Sequence, residues 1–151
     1  SRRLKGTSYI IEAIEQLQKE GLNIDLKLLE KVDNEKVLNE IVQADLVIDQ
    51  LVIGWYAMFA IEAMCLNKPV ICYLRSDIKE LYIKAGLLAE NEIPIINANV
   101  MNIRNKIEEL YYNREILSIA GKKGNKYVTD KHSLESIGSI FSEINMLLLN
   151  K

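Results

Sequence analysis

Apolar residues recur along the chain in two spacings, which predict an alternation of strands and helices. Short continuous apolar runs are typical of buried strands, whereas apolar positions three and four residues apart are typical of amphipathic helices. Strands are predicted over 24–29, 46–49, 70–74 and 94–97. Helices are predicted from Thr7 to Gly21, after Asp33, within 54–66, over 76–84, after Asn99, over 115–129 and over 133–149.

Polar residues and glycines beside these runs predict how the helices begin and end. Side-chain oxygens cap the first turn of a helix, and residues that tolerate a positive φ often follow the last turn. The predicted caps are Thr7 or Ser8, Asp33, Ser76 and Asn99, and the predicted stops are Gly21 and Asn67. The opening residues, SRRLKG, are predicted to form a basic loop.

The alternation of strands and helices predicts a single α/β domain, 1–151, with a Rossmann-like, doubly wound parallel sheet. Ligands in such sheets bind beyond the carboxyl ends of the strands, which selects the loops 29–33, 50–57 and 74–77. The first predicted element is a helix, so the strand that should lead into it is missing. We therefore expect a piece of a longer chain that lacks its first strand, with an incomplete sheet through which copies can self-associate.

Composition and charge exclude several classes of function. The 151 residues carry a net charge of −2, which gives no global attraction for nucleic acid, and no apolar run approaches the roughly 18 residues of a membrane span. Cys65 and Cys72 lie in apolar stretches, which indicates reduced, packed thiols in a cytoplasmic protein. A single histidine, His132, argues against a histidine metal site or a Ser-His-Asp triad, and no nucleophile elbow, P-loop or GxGxxG motif occurs.

Two helix starts are candidate anion sites, because a helix N-terminus presents free N–H groups and the positive end of a dipole. Lys5 and Gly6 precede the first helix, with two arginines upstream, and the segment 54–58 opens the central helix. Two such termini converging on one crevice would hold a diphosphate. The alternatives are a solvated basic terminus and a helix start that binds nothing.

Glu62 lies in the apolar stretch AIEAM, where an unpaired carboxylate is costly to bury. A ribose explains this position, since its two hydroxyls donate to two carboxylate oxygens, and an ion pair to a lysine is the alternative. Asp49 and Gln50 end a strand, where they either face a ligand or cap a turn. Trp55 and Tyr56 either stack on a ligand ring or cover the core, and the second interpretation is favoured.

Three segments resemble retaining GT-B glycosyltransferases, the "group 1" family that uses sugar nucleotides. The segment KGT followed by IIEAIEQL is similar to "EKG…LL.A...L", and ADLVIDQLVIGWYAMFAIEAMCLNKPVICY resembles "ADVFVLPS…EGFGLVPLEAMACGKPVIA". The segment NVMNIRNKIEELYYNREILSIAGKKGNKYV resembles the ending of the family's sequences. The resemblance implies the carboxyl-terminal, donor-binding half of a GT-B fold, without the amino-terminal, acceptor-binding half.

The resemblance also implies roles for two charged side chains. Lys5 matches the lysine that neutralises the donor diphosphate, and Arg2 or Arg3 substitutes for an arginine that falls upstream of this sequence. Glu62 matches the second glutamate of the family's Glu-seven-residues-Glu pair, which holds the ribose hydroxyls. No catalytic residue and no metal ligand is assigned.

The turn before the central helix both matches the family and departs from it. The backbone at Tyr56, Ala57 and Met58 matches the turn that approaches the phosphates and sugar of the donor. Gly54 stands where the first glutamate of the pair is usual, and Ala57 stands where a glycine is usual. Both changes concern the part of the site that would contact the donor sugar.

The implied function is the binding of a UDP- or GDP-linked sugar for transfer to an acceptor, in bacterial surface polysaccharide or glycolipid synthesis. The implied reaction needs no metal and no cofactor, and this chain alone is expected to be inactive without its acceptor-binding domain. The expected location is the cytoplasm, peripheral to the inner face of the membrane in the full-length protein. The alternative is a non-catalytic Rossmann-like interaction module that has lost the site, and a sugar-nucleotide epimerase of the same fold is a third possibility.

Overall fold

The computed structural model describes residues 2–149, without the side chains of Arg2, Leu4 and Leu147. Eleven elements follow one another in this part of the chain. They are α1 (Arg2–Lys5), α2 (Thr7–Lys19), α3 (Asn34–Gln43), β1 (Val47–Ile48), α4 (Met58–Cys65), β2 (Val70–Cys72), α5 (Ser76–Lys84), β3 (Ile96–Asn97), α6 (Ile103–Tyr112), α7 (Arg114–His132) and α8 (Leu134–Leu149). The predicted mixed α/β class is confirmed.

The three strands form a parallel sheet in the order β1-β2-β3, with helices on both faces. Side chains of β2 alternate between the faces: Val70 and Cys72 pack in one apolar core, and Ile71 packs in the other. The first core takes its helical residues from α3, α4 and α7, and the second from α2 and α6. The result is three layers, and the helices protect a sheet that is buried on both sides.

The strand predicted over 24–29 is wrong, because residues 22–30 carry no ladder to another strand. The segment has strand-like alternation, and Ile24 and Leu26 pack against the second core. A strand also needs a neighbour for its backbone groups, and β1 lies across a gap from this segment. The strand order in the described residues therefore runs in one direction, without the reversal of a doubly wound sheet.

The helices begin and end close to the predicted positions, but most of the predicted capping residues are not the ones that precede the helices. The opening residues form the short helix α1 instead of a loop, and Gly6, with φ 75°, precedes α2 in place of Thr7 or Ser8. Asp33 lies at the predicted cap position, whereas Arg75 and Asn102 replace Ser76 and Asn99. The positive φ angles expected at Gly21 and Asn67 are confirmed.

The helices α4 and α7 approach each other closely where α7 carries two buried glycines. A Cβ atom added at Gly121 would lie 2.2 Å from the carbonyl oxygen of Asn67, and one added at Gly124 would lie 2.9 Å from Cγ of Met64. These distances are shorter than van der Waals contact. The absence of a side chain at both positions therefore sets how closely α7 packs against the central helix.

The last helix, α8, is the least buried element. It follows α7, and its side chains at Ile140, Phe141 and Leu148 are more than half exposed. Across the described residues, no helix combines the length and the apolar character needed to cross a membrane. The expectation of two packed thiols is half right, since Cys72 is buried and Cys65 is exposed.

Candidate functional site

Gln50 organises the loop that follows β1. Its side chain is buried, and its Oε1 atom accepts hydrogen bonds from the backbone N–H groups of Val52 (3.2 Å), Ile53 (2.7 Å) and Gly54 (3.4 Å). Its Nε2 atom donates to the carbonyl oxygen of Trp55. A single amide thus satisfies both donors and acceptors of the turn, which settles its role as a turn-capping residue.

Asp49 joins the same loop to two other elements. Its side chain is 1% exposed, its Oδ2 atom accepts a hydrogen bond from the Ala57 N–H (3.3 Å), and its Oδ1 atom lies 3.5 Å from Nζ of Lys5. The Asp49 carboxylate therefore accepts a hydrogen bond at the start of α4, eight residues further along the chain, and pairs with the lysine. Burial, and then the Asp49 charge, raise the pKa of the Cys72 thiol to about 12, so this thiol is protonated at neutral pH.

The segment that precedes α2 lies at the carboxyl end of β1, and the Asp49 carboxylate links it to the residue that precedes α4. The Leu51 N–H donates to the carbonyl oxygen of Lys5 (3.0 Å), and a Cβ atom at Gly6 would lie 3.1 Å from Cβ of Leu51. No side chain of the residue preceding either helix caps its first turn. The predicted convergence of the two helix starts on one crevice stays a prediction, because the cavity beside Lys5 is not lined by Ala57 or Met58.

Lys5 stands between these two helix starts. Its side chain is 48% exposed, and Nζ lies 5.4 Å from the ring centroid of Phe59, within range of a cation–π interaction. Arg3 is exposed on the same short helix, and Ala57 and Met58 are exposed at the start of α4. The structure thus brings Lys5 and Ala57 together through Asp49 and leaves Met58 open to solvent.

Glu62 lies on the outer face of α4, and it is only partly buried. It shares this face with Met58 and Cys65, four residues before it and three after, and both neighbours are exposed. Glu62 itself is half-buried, and within the described residues no side chain forms a hydrogen bond or ion pair with its carboxylate. Its position therefore does not require a bound partner, but the carboxylate is free to accept one.

Gly54 is buried beneath an arginine. Its φ is 95°, its carbonyl oxygen accepts a hydrogen bond from the Arg75 N–H (2.9 Å), and an added Cβ atom would lie 2.3 Å from Cγ and Cδ of Arg75. The positive φ favours glycine, and a glutamate side chain at this position would meet the arginine stem. The sequence has a glycine where the resembled family has a glutamate. The positive φ and the close arginine side chain explain why a glycine fits this position.

Tyr56 points into an aromatic cluster beside α7. Its hydroxyl group forms hydrogen bonds with the Tyr127 hydroxyl (2.8 Å) and with Nε2 of His132 (3.1 Å), and burial raises the pKa of both tyrosines. Trp55 stacks on Tyr56 and on Tyr82, so the favoured interpretation of these two rings as core cover is confirmed. Only the backbone of Tyr56 is left to approach a ligand at the start of α4.

A cavity of about 920 Å³ opens beside the paired charges. Its lining includes Lys5, Asp49 and Phe59, together with residues of β1 and of the segment 22–30. Of the site residues predicted from the sequence, Lys5 alone lines this cavity. Sequence reasoning left the role of Asp49 open and did not single out Phe59, although two consecutive polar residues after a buried strand were a usable signal.

The fold and the site define a three-layer α/β protein with a lysine–aspartate ion pair at the carboxyl end of its first strand. No family model, no curated protein and no solved structure matches the chain. Among the residues that the structure describes, no cluster of three histidine, cysteine or carboxylate side chains is placed to hold a metal ion. The candidate site is therefore defined by Lys5, Asp49, Ala57 and Glu62 and by the two helix starts.

Proposed function

We propose that this chain is the donor-binding domain of a glycosyltransferase that uses nucleotide-diphosphate sugars. The observation that carries the proposal is the link through Asp49 between Lys5, which precedes α2, and the Ala57 N–H group at the start of α4. Backbone N–H groups, helix dipoles and a lysine are the groups with which proteins bind diphosphates. In the complete enzyme this domain would work in the cytoplasm with an acceptor-binding domain, at the inner face of the membrane where surface polysaccharides or glycolipids are made.

Each group in the site has a role under this proposal. Lys5 and the N–H groups at Ala57 and Met58 bind the diphosphate, and Arg3 adds positive charge from α1. Glu62 accepts hydrogen bonds from the ribose, about 7.5 Å further along the axis of α4 at 1.5 Å per residue. The lysine and the helix dipoles also stabilise the diphosphate as it leaves, which is the electrostatic part of the reaction.

The Asp49 carboxylate would compete with a bound diphosphate for the same two groups. Its carboxylate already accepts from the Ala57 N–H and pairs with Lys5, so a bound phosphate must draw both groups away from it. Replacing this carboxylate by an amide removes the competing charge. We therefore expect Asp49→Asn to bind nucleoside diphosphates more tightly, at some cost in the free energy of unfolding because the amide caps α4 less well.

Calorimetric titration with UDP, GDP and ADP tests the proposal. We expect saturable binding of at least one of them, and Lys5→Met and Glu62→Gln should each weaken it by about 10- to 100-fold, the loss of a charged hydrogen bond. The matched controls are Lys84→Met and Glu15→Gln, which change exposed residues far along the chain from the site. The proposal fails if no nucleotide saturates, or if the site variants bind as well as the controls.

A non-catalytic interaction module is the second candidate, and three contacts within the protein favour it. Asp49 already satisfies the start of α4, Arg75 covers Gly54, and Tyr56 is engaged with α7. If the site is lost in this way, nucleotides will leave the amide NMR spectrum unchanged. Asp49→Asn will then restore no binding, which separates this candidate from a weak donor site.

A further inference from the structure

The last helix, α8, carries an apolar stripe that the rest of the described chain leaves uncovered. Five side chains spaced alternately three and four residues apart form it: Leu134, Ile137, Phe141, Ile144 and Leu148. On a helix this spacing places side chains along one face. Each of the five is at least 38% exposed, and α8 packs chiefly against α7 among the described elements. We call these five side chains the α8 stripe.

The charges of α8 lie away from the stripe. Glu135 and Glu143 fall on the other side of the helix, and residues 134–149 contain no lysine or arginine. Helices that lie on membranes and surfaces that bind nucleic acid are rich in basic residues, so neither kind of partner fits this helix. The stripe instead fits an uncharged, apolar protein surface, because such a surface brings no charge that must be buried without a partner.

The stripe has the same residue types in both directions from Phe141. Leucines lie seven residues before and seven after it, at Leu134 and Leu148, and isoleucines lie at Ile137 and Ile144. A two-fold axis beside Phe141 therefore places Leu134 against Leu148 of a second copy. Contacts of this kind use the same surface on both copies, which a symmetric stripe allows. Antiparallel helices also bring the positive end of each dipole beside the negative end of the other.

The stripe is large enough for a specific dimer. Its exposed side-chain area is roughly 600 Å² per copy, or about 1,200 Å² for two copies, which reaches the lower end of the range of about 1,200–2,000 Å² for stable interfaces. The alternating spacing of three and four is also the one with which two helices pack side chains between one another. Since the area is at the lower end, we expect a dissociation constant of about 1–100 µM.

We propose that α8 is a dimerisation helix, through whose stripe two copies of this chain associate in antiparallel orientation. The surface is separate from the edge of the sheet, through which self-association was expected from the sequence. It also lies outside the two cores, which flank the sheet. Changes in the stripe should therefore alter the association without unfolding the domain.

Sedimentation equilibrium of the 151-residue chain between about 1 and 500 µM tests the dimer. We expect a reversible monomer–dimer equilibrium, which Phe141→Glu and Ile144→Glu should each weaken at least about 100-fold, because each puts a carboxylate into the apolar interface. Met146→Glu is the matched control, since Met146 is 57% exposed on the opposite side of α8, and it should change the constant less than about threefold. All three variants should keep the circular dichroism of the wild-type chain.

Three results of this experiment would overturn the dimer. The first is a wild-type chain that stays monomeric over the whole range of concentration. The second is a Phe141→Glu chain that dimerises as tightly as the wild type, since another surface, such as the edge of the sheet, then holds the copies together. The third is an equal loss in Met146→Glu, which would show that any charge on α8 prevents association.

Disulfide cross-linking with oxidised glutathione tests the orientation. In a Cys65→Ser background the remaining thiol, Cys72, is buried. A mixture of Leu134→Cys and Leu148→Cys chains should cross-link at least about tenfold faster than either variant alone, and Phe141→Cys should cross-link to itself, because Cα atoms must come within about 7 Å. Leu134→Cys that cross-links to itself as fast as the mixture indicates parallel helices and overturns the antiparallel assignment.

Discussion

At the scale of single residues, two consecutive buried polar side chains decide the geometry of the site. Gln50 bonds with the loop backbone, and Asp49 bonds with the start of α4 and with Lys5. Sequence alone left both residues between ligand contact and turn capping, because either role puts a polar side chain at the end of a strand. Only the three-dimensional course of the loop tells which backbone groups lie within reach.

His132 gives the fold a dependence on pH that can be assigned to one residue. Burial lowers the pKa of His132 below its ordinary value near 6.5. The unfolded chain therefore binds this proton more tightly than the folded chain, and the free energy of unfolding should fall as the pH drops below about 6.5. One proton limits the slope to about 1.4 kcal/mol per pH unit. Urea unfolding between pH 5.5 and 7.5 measures it.

The variant His132→Phe isolates this effect, since phenylalanine keeps an aromatic ring against Tyr56 and does not titrate. The sequence holds one histidine, so no other imidazole contributes in this range. We expect the slope just below pH 6.5 to flatten in His132→Phe and to persist in Tyr56→Phe. The same slope in all three proteins would assign it to carboxylates instead.

At the scale of elements, the apolar pattern predicted most of the helices and three strands of the sheet, and it failed at the fourth strand, 24–29. The apolar stripes of α2, α6 and α7 repeat over several turns, and each repetition adds to the signal. The strands are two or three residues long, and 24–29 has the composition of a strand without a partner. Strand pairing depends on residues distant in the sequence, so the pattern of one segment cannot establish it.

The α4–α7 contact should be sensitive to a single methyl group. We expect Gly121→Ala to lower the free energy of unfolding by about 1–3 kcal/mol, because the new Cβ would overlap the carbonyl group of Asn67 and force the helices apart. Gly138→Ala is the matched control: it lies within α8 with no atom near the added Cβ, and it should stabilise by roughly 0.5–1 kcal/mol. Urea denaturation measures both, and equal effects would contradict the close approach.

At the scale of the whole molecule, stability should be distributed unevenly. The two cores flank the sheet and include α2, α4, α6 and α7, whereas α8 packs chiefly against α7. In the monomer, we expect amides in the middle of α8, such as those of Ile140 and Phe141, to exchange about 100-fold faster than those of Ile107 and Leu110 in α6. Hydrogen exchange followed by NMR checks this order, and equal protection would indicate a partner on α8.

Only some parts of the candidate site can be found from the sequence. Lys5 and the start of α4 follow from local sequence signals, because each signal lies within a few residues. The pairing of Lys5 with Asp49, 44 residues apart, does not. The apolar neighbours of Glu62 in the sequence turn to other sides of the helix, so they do not establish how far its carboxylate is buried.

The support that Gln50 gives to its loop has a consequence for how this protein can diversify. The Gln50 amide holds the backbone of 52–55 through hydrogen bonds, whereas the side chains of Val52 and Ile53 are 44% and 53% exposed. We therefore expect polar substitutions at these two positions to change the exposed surface of the loop while its backbone keeps its course.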